Sequence, residues 1–188
     1  NPRRWAFREA GTLSTCKWLV PYAIGEDASG DGGDVVFARF LGWWISEGSL
    51  AGDAPVLTQN VGRLSERMRE TVAALGYDAN YIVQDGSARQ RQACMHLRLR
   101  GATALGRSLR QQCGGKTRSK HIPGYAFSWS SEVRRALLEA LIDGDGTRST
   151  ESRSIYCTTS CQLADDVQRL AISIGKSGRI AIHEEANQ

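Results

Sequence analysis

Two carboxylates, Glu47 and Asp145, stand in matching surroundings 98 residues apart. Small residues precede each at every fourth position: Ala38, Gly42 and Ser46 before Glu47, and Ala136, Ala140 and Gly144 before Asp145. A glycine follows each acid, Gly48 or Gly146, and then a hydroxyl residue, Ser49 or Thr147. Residues four apart share one face of a helix, and a stripe of small residues lets two backbones approach closely. Large neighbours fill the core beside each stripe: Phe40, Trp43 and Trp44 in one run, Leu137, Leu141 and Ile142 in the other. Two helices packed on these stripes bring the acids together at their C-terminal ends. The carboxylates repel each other there, and the negative helix termini add to the repulsion. A hard divalent cation relieves the conflict, and an oxygen-only donor set suits Mg²⁺. One copy alone would read as an amphipathic helix ending in an acid; two in one register argue for a shared site.

The elements that must position these acids follow from spacing. Asp34 is a candidate N-cap for a helix over 34–47, and the glycine after each acid is expected to stop its helix in the left-handed conformation. Residues 56–60 and 77–84 read as strands around a helix marked by Leu64, Met68, Val72 and Leu75 at helical spacing. Residues 86–90 read as a turn. Residues 94–100 alternate, with Met95, Leu97 and Leu99 on one side and His96, Arg98 and Arg100 on the other. A helix over 102–113, a loop over 114–118 and a second acid-bearing helix from 130 or 131 to 145 come next. Then follow a strand or hairpin over 153–160, a helix over 161–174, a turn over 175–178 and a strand over 179–184. Leu64 with Leu163, Met68 with Val167, and Gly76 with Gly175 pair at an offset of 99. The unit is therefore helix, two strands, helix, two strands, helix. The second unit is expected to stop one strand after its second helix, short of a strand and a helix.

With 188 residues, 41% of them hydrophobic, the chain fits one domain with a real core. It has no apolar run of membrane-spanning length and no secretory signal at its start. Its five cysteines form no Cys-x-x-Cys pair and read as reduced intracellular thiols. Cys157, Cys161 and His183 lack an evident fourth metal ligand. The net charge is only +4, but 20 of the 24 basic residues are arginine. Residues 86–131 hold nine Arg or Lys and no Asp or Glu. That asymmetry suggests a polyanion partner, nucleic acid first; a solvated basic face is the plainer reading.

The run Leu138-Glu139-Ala140-Leu141-Ile142-Asp143-Gly144-Asp145-Gly146 resembles the LAGLIDADG motif of homing endonucleases, departing from it at Glu139, Ala140 and Gly144. The copy over 38–49 is degenerate and is matched by register. The resemblance implies an α+β fold of two pseudo-symmetric αββαββα repeats, 34–127 and an incomplete 128–188, packed through paired motif helices. Curved antiparallel sheets would form a saddle over double-stranded DNA. It further implies that Glu47 and Asp145 hold divalent metal, Mg²⁺, beside the scissile phosphates, with Ser46 and Gly144 completing the ligand set.

Lys120 is a third catalytic candidate, because Lys120-His121-Ile122-Pro123 is similar to a Lys-x-Ile-Pro block of intein endonucleases. Lys176 and Lys17 are the candidates for a second such lysine. His96, Arg98, Arg100, Arg148, Arg153, Tyr156, Thr158 and Arg179 are expected to line the saddle and contact DNA. The opening 33 residues resemble the segment that joins a splicing domain to an inserted endonuclease in an intein. The chain begins at Asn1 and ends Ala-Asn-Gln, so splicing by this chain alone is not expected. The function implied is a site-specific double-strand DNA endonuclease, a cytoplasmic monomer with internal pseudo-symmetry, nucleoid-associated when bound. The alternatives are a catalytically inactive nucleic-acid-binding protein, maturase- or regulator-like, and an autonomous enzyme outside any intein.

Overall fold

The computed structural model describes residue 30 and residues 32–85, 92–150 and 153–181, with backbone alone at 149, 150 and 153. The opening segment to residue 29, the expected turn at 86–90, and His183 lie outside the described residues. Helix α1, Val35–Glu47, opens on Asp34, whose Oδ1 accepts from the backbone N–H groups of Val36 (2.6 Å) and Phe37 (2.9 Å). That cap satisfies two donors a helix start otherwise leaves open. Phe40, Leu41, Trp43, Trp44 and Ile45 are all buried, so α1 is apolar on nearly every side and must run through the interior.

Strands β1 (Gly48–Ala51) and β2 (Ala54–Asn60), helix α2 (Arg63–Ala74), strands β3 (Ala79–Gln84) and β4 (Cys94–Leu99) and helix α3 (Thr103–Cys113) complete an αββαββα unit. The four strands form one antiparallel sheet in the order β1-β2-β4-β3. Met95, Leu97 and Leu99 are buried with Leu57, Met68 and Val72 in the core, while Arg98 points outward and His96 is half-buried. The alternation read from sequence thus sets which face of the sheet meets the helices and which is left open. Strand β1 had no signature of its own, because its four residues, Gly-Ser-Leu-Ala, carry no apolar alternation.

Helix α4 (Ser131–Asp145) starts on Ser130, whose Oγ accepts from Val133 N–H (3.4 Å). Strands β5 (Gly146–Thr150) and β6 (Arg153–Tyr156) form a separate antiparallel pair, and helix α5 (Cys161–Ser173) follows. Residues 179–181, expected to begin a strand, carry no regular structure. None of the helices among the described residues is long and apolar enough to cross a membrane.

The principal contact between the two halves is α1 against α4. A methyl group added at Gly42 would lie 2.6 Å from Ala140 Cβ and 2.9 Å from Leu137 O. One added at Gly144 would lie 2.5 Å from Ser46 Cβ. The contacts 42–140 and 46–144 advance together, so the two helices run side by side in the same direction. The glycines after the acids correct one expectation. Gly48 (φ −84°) and Gly146 (φ −114°) are extended, not left-handed, and each helix passes directly into a strand. Glycine is required there by crowding: a Cβ at Gly48 would lie 2.3 Å from Trp44 O, and one at Gly146 2.6 Å from Ile142 O.

Gly42→Val is expected to lower the unfolding free energy by about 1–3 kcal/mol in a urea melt, as overpacking of a filled interface does. Gly124→Ala is the control, since a Cβ there meets nothing within 4 Å; it should stay within about 0.5 kcal/mol of the parent.

Candidate metal centre

Glu47 and Asp145 end α1 and α4, and the tight seam brings them into one electrostatic field. Burial, and then the Asp145 carboxylate, raise the Glu47 pKa from 4.5 to about 7, against the lowering effect of Lys120 and of a hydrogen bond from Gln59. Asp145 is also raised, chiefly by burial, with Lys120 opposing. The Gln59 amide Nε2 donates to Glu47 Oε1 at 3.3 Å. Sequence reasoning missed Gln59, although a signal existed. It pairs with Met95 and sits two residues after Leu57, on the core-facing side of β2, where a polar residue needs a partner.

Lys120 reaches the same place by a different route. Its Nζ donates to Trp44 O (3.3 Å), Ser46 O (3.3 Å) and Gly48 O (3.0 Å). An ammonium has three hydrogens, and all three lie on carbonyls at the C-terminal end of α1. The charge there offsets the negative end of the helix. Burial lowers the Lys120 pKa, while Asp145 and Glu47 push it back up. Ser46 accordingly offers a carbonyl that Lys120 already engages, and its hydroxyl donates to Leu141 O (3.3 Å). The oxygens left for a cation are those of the two carboxylates, with Gly144 directly beside them. They are all hard donors, which fits Mg²⁺ or Mn²⁺ with water and phosphate oxygens completing the shell.

The remaining candidates divide. His96 (Nδ1 3.2 Å from Thr58 Oγ1), Arg98 and Arg100 lie on or at the end of β4, the two arginines exposed. Arg98 pairs across the ladder with Asn80 and His96 with Ile82, so these four share the open face. Tyr156 is not on an open face. Its ring packs against the core, and burial raises its pKa first among several causes, with Asp145 and Glu47 adding to it. Its buried hydroxyl lies within reach of Ser46 without a well-formed hydrogen bond. Arg148 is exposed but held by Asp143, Nη2 to Oδ1 at 2.7 Å. Asp143 also takes Arg67 Nη1 at 2.9 Å, and Arg67 lies 5.9 Å from the Trp43 ring centre. Arg153 lies in β6, its side chain outside the described residues; Arg179 is exposed, as are Lys176 and Lys116, and Thr158 is half-buried. Lys17 lies outside the described residues.

The raised carboxylates give a pH signature. The folded chain keeps a proton on Glu47 that the unfolded chain releases near its ordinary 4.5, so stability falls as pH rises from about 4.5 toward 7. In metal-free buffer, Glu47→Gln should therefore melt above the parent, by a margin that widens from about pH 5 to about pH 8. A margin that does not change across that window would contradict the shift.

A family model described as a LAGLIDADG-like domain matches residues 132–188. The chain is 32% identical over 156 residues to a subunit of the DNA gyrase of Mycobacterium gordonae, covering 78% of this chain and 27% of that protein. It is 31% identical over 152 residues to the ATP-dependent DNA helicase Hel308 of Thermococcus kodakarensis, covering 76% and 13%. It is 32% identical over 146 residues to a DNA polymerase of Thermococcus aggregans, covering 77% and 8%. The chain thus spans about a quarter or less of these curated relatives. Among solved structures it superposes on I-DmoI in complex with DNA and Mn with a TM-score of 0.53 at 13% identity, covering 80% of this chain and 83% of the other. The N-terminal LAGLIDADG domain of DUF199/WhiA gives a TM-score of 0.53 at 11% identity, covering 88% and 82%. Residues 132–188 thus match a LAGLIDADG-like domain, and the α+β architecture of the chain is the fold that the homing endonuclease I-DmoI also has.

Proposed function

We propose that the chain is a site-specific double-strand DNA endonuclease of the intein-homing type, dependent on a divalent metal. The observation that carries this reading is the meeting of Glu47 and Asp145 at one end of a glycine-tight helix seam. Two acids in each other's field, Glu47 half-buried and Asp145 at the exposed rim, weaken a fold, and a protein that only bound DNA would have no use for them. The I-DmoI structure with the same fold holds DNA and Mn.

On this reading Glu47 and Asp145 hold the cation, with Gly144 and Ser46 beside them. When bound, it supplies a lowered water pKa and charge stabilisation at the phosphate. Gln59 fixes the Glu47 carboxylate, and Lys120 holds the end of α1 and offsets phosphate charge. His96, Arg98 and Arg100 grip the duplex along the open face of the sheet, with Arg148 joining them once it leaves Asp143. Arginine there reaches phosphates and guanine edges alike. Arg179, exposed after α5, is the corresponding candidate in the second unit.

The intein context is supported by the relatives taken together. One stretch of about 150 residues is similar to minor parts of a DNA helicase, a DNA polymerase and one of the proteins of DNA gyrase. A module shared by three otherwise unlike proteins behaves as an insertion and not as a part of any host's own machinery. Residues 1–33 are then the joining segment, and 34–127 and 128–188 the two repeats. A second reading is binding without cleavage; it is favoured by Lys120, whose three donors are all taken by α1 carbonyls.

The test is incubation with a plasmid carrying an uninterrupted mycobacterial gene for the matching gyrase protein, and with a randomised-site library, in Mg²⁺ or Mn²⁺ and in chelator. Metal-dependent double-strand cleavage is expected. DNA binding with no cut under any metal would establish the binding-only reading. Asp145→Asn should lower the cleavage rate constant by at least about a hundredfold, or leave nicking alone, with DNA affinity changed less than about threefold.

A further inference from the structure

Lys120 lies in the connector between the two units, a segment with little regular structure of its own, yet its ammonium is placed on three carbonyls at once. The connector is held from outside. Ser160 Oγ donates to Lys120 O at 2.7 Å, and Asp166 Oδ2 accepts from Ile122 N–H at 2.9 Å. His121 N–H donates to Cys113 O at 3.0 Å. Three successive residues are thus pinned, two of them by α5 and its cap and one by the end of α3.

Both of these α5 groups are buried, Ser160 at 1% and Asp166 at 5% exposure. Ser160 also caps α5, accepting from Leu163 N–H at 3.2 Å. Asp166 is the more telling. A carboxylate is expensive to bury, and this one's described partners are a single backbone N–H and the Gln162 amide at 2.9 Å. At the repeat offset of 99, Asp166 stands where Arg67 stands in α2. Arg67 reaches across to Asp143 on α4, whereas Asp166 reaches across to the connector. The second unit has therefore exchanged an ion pair at this position for a grip on the lysine segment.

We propose that Ser160 and Asp166 are positioning residues that set Lys120 against the end of α1, and so fix the acid end of the site, by holding the main chain of residues 120–122. This rests on the endonuclease reading for its catalytic consequence, but the placement itself is testable without DNA.

The probe is limiting acetic anhydride, with acetylation of each lysine read by mass spectrometry as a ratio to the exposed Lys116 and Lys176. In the parent, Lys120 should label slowly. Ser160→Gly keeps an adequate helix cap while removing the hydroxyl; Asp166→Ala removes the acceptor. Both should raise the Lys120 ratio at least about threefold in protein whose Trp fluorescence melt remains cooperative, because the nitrogen freed from the three carbonyls becomes accessible to the anhydride. Asp166→Asn keeps an oxygen for Ile122 N–H and should return the ratio to within about twofold of the parent. Should Asp166→Ala not fold, Ser160→Gly decides the matter. Cleavage at saturating DNA should fall about tenfold in Ser160→Gly with the half-saturating DNA concentration unchanged. An unchanged Lys120 ratio in folded Ser160→Gly would overturn the proposal. A parent protein that never cuts DNA would overturn the endonuclease reading while the labelling ratio still decides the positioning.

Discussion

Two helix backbones that touch without room for a methyl group govern this molecule. Gly42 against Ala140 and Gly144 against Ser46 hold α1 and α4 side by side in the same direction. Such a pair is unfavourable electrostatically, because both negative ends point the same way. The chain then adds an acid to each end. It offsets part of the conflict with the Lys120 ammonium on the α1 carbonyls and leaves the rest in the raised Glu47 and Asp145 carboxyls. Apolar burial of Phe40, Trp43, Trp44, Leu137 and Leu141 around the seam supplies the stabilisation that lets the conflict persist.

The halves repeat in topology and differ in chemistry. Gly48 pairs with Leu57 in the first hairpin and Gly146 with Tyr156 in the second. A fully buried leucine is thus replaced by a tyrosine whose hydroxyl lies near both acids. By the same register Gln59, which holds Glu47, corresponds to Thr158. The Lys120 connector serves the α1 end, and α5 holds that connector. Asp143 collects Arg67 from the first unit and Arg148 from the second. The two acids are therefore unequal neighbours, and on the endonuclease reading the two DNA strands meet unequal groups.

Much of this was legible in the residues. The small-residue stripes gave the seam, because a stripe at every fourth position has few other uses. Asp34 gave the first helix start, the second was placed at Ser130 or Ser131, and the alternation over Met95 to Arg100 gave the faces of the sheet. Strand β1 was silent, since a four-residue strand ending in a turn carries no period of its own. The glycines after the acids were legible as glycines but not for their reason, which is a three-dimensional crowding against Trp44 and Ile142. Tyr156 read as a polar saddle residue because sequence gives its strand but not the depth to which its ring sinks. Ser160 and Asp166 were invisible as a pair with Lys120, because a bond from side chain to a distant main chain leaves no spacing signature.

Whether the seam forces the two acids into one field is decided most directly by a carboxyl carbon NMR titration of metal-free protein, which needs neither DNA nor activity. Glu47 should titrate near 7, and in Asp145→Asn its midpoint should drop partway toward its ordinary value, since burial remains but the second charge is gone. A Glu47 that titrates in the ordinary carboxylate range, unmoved by loss of Asp145, would show that the acids do not meet.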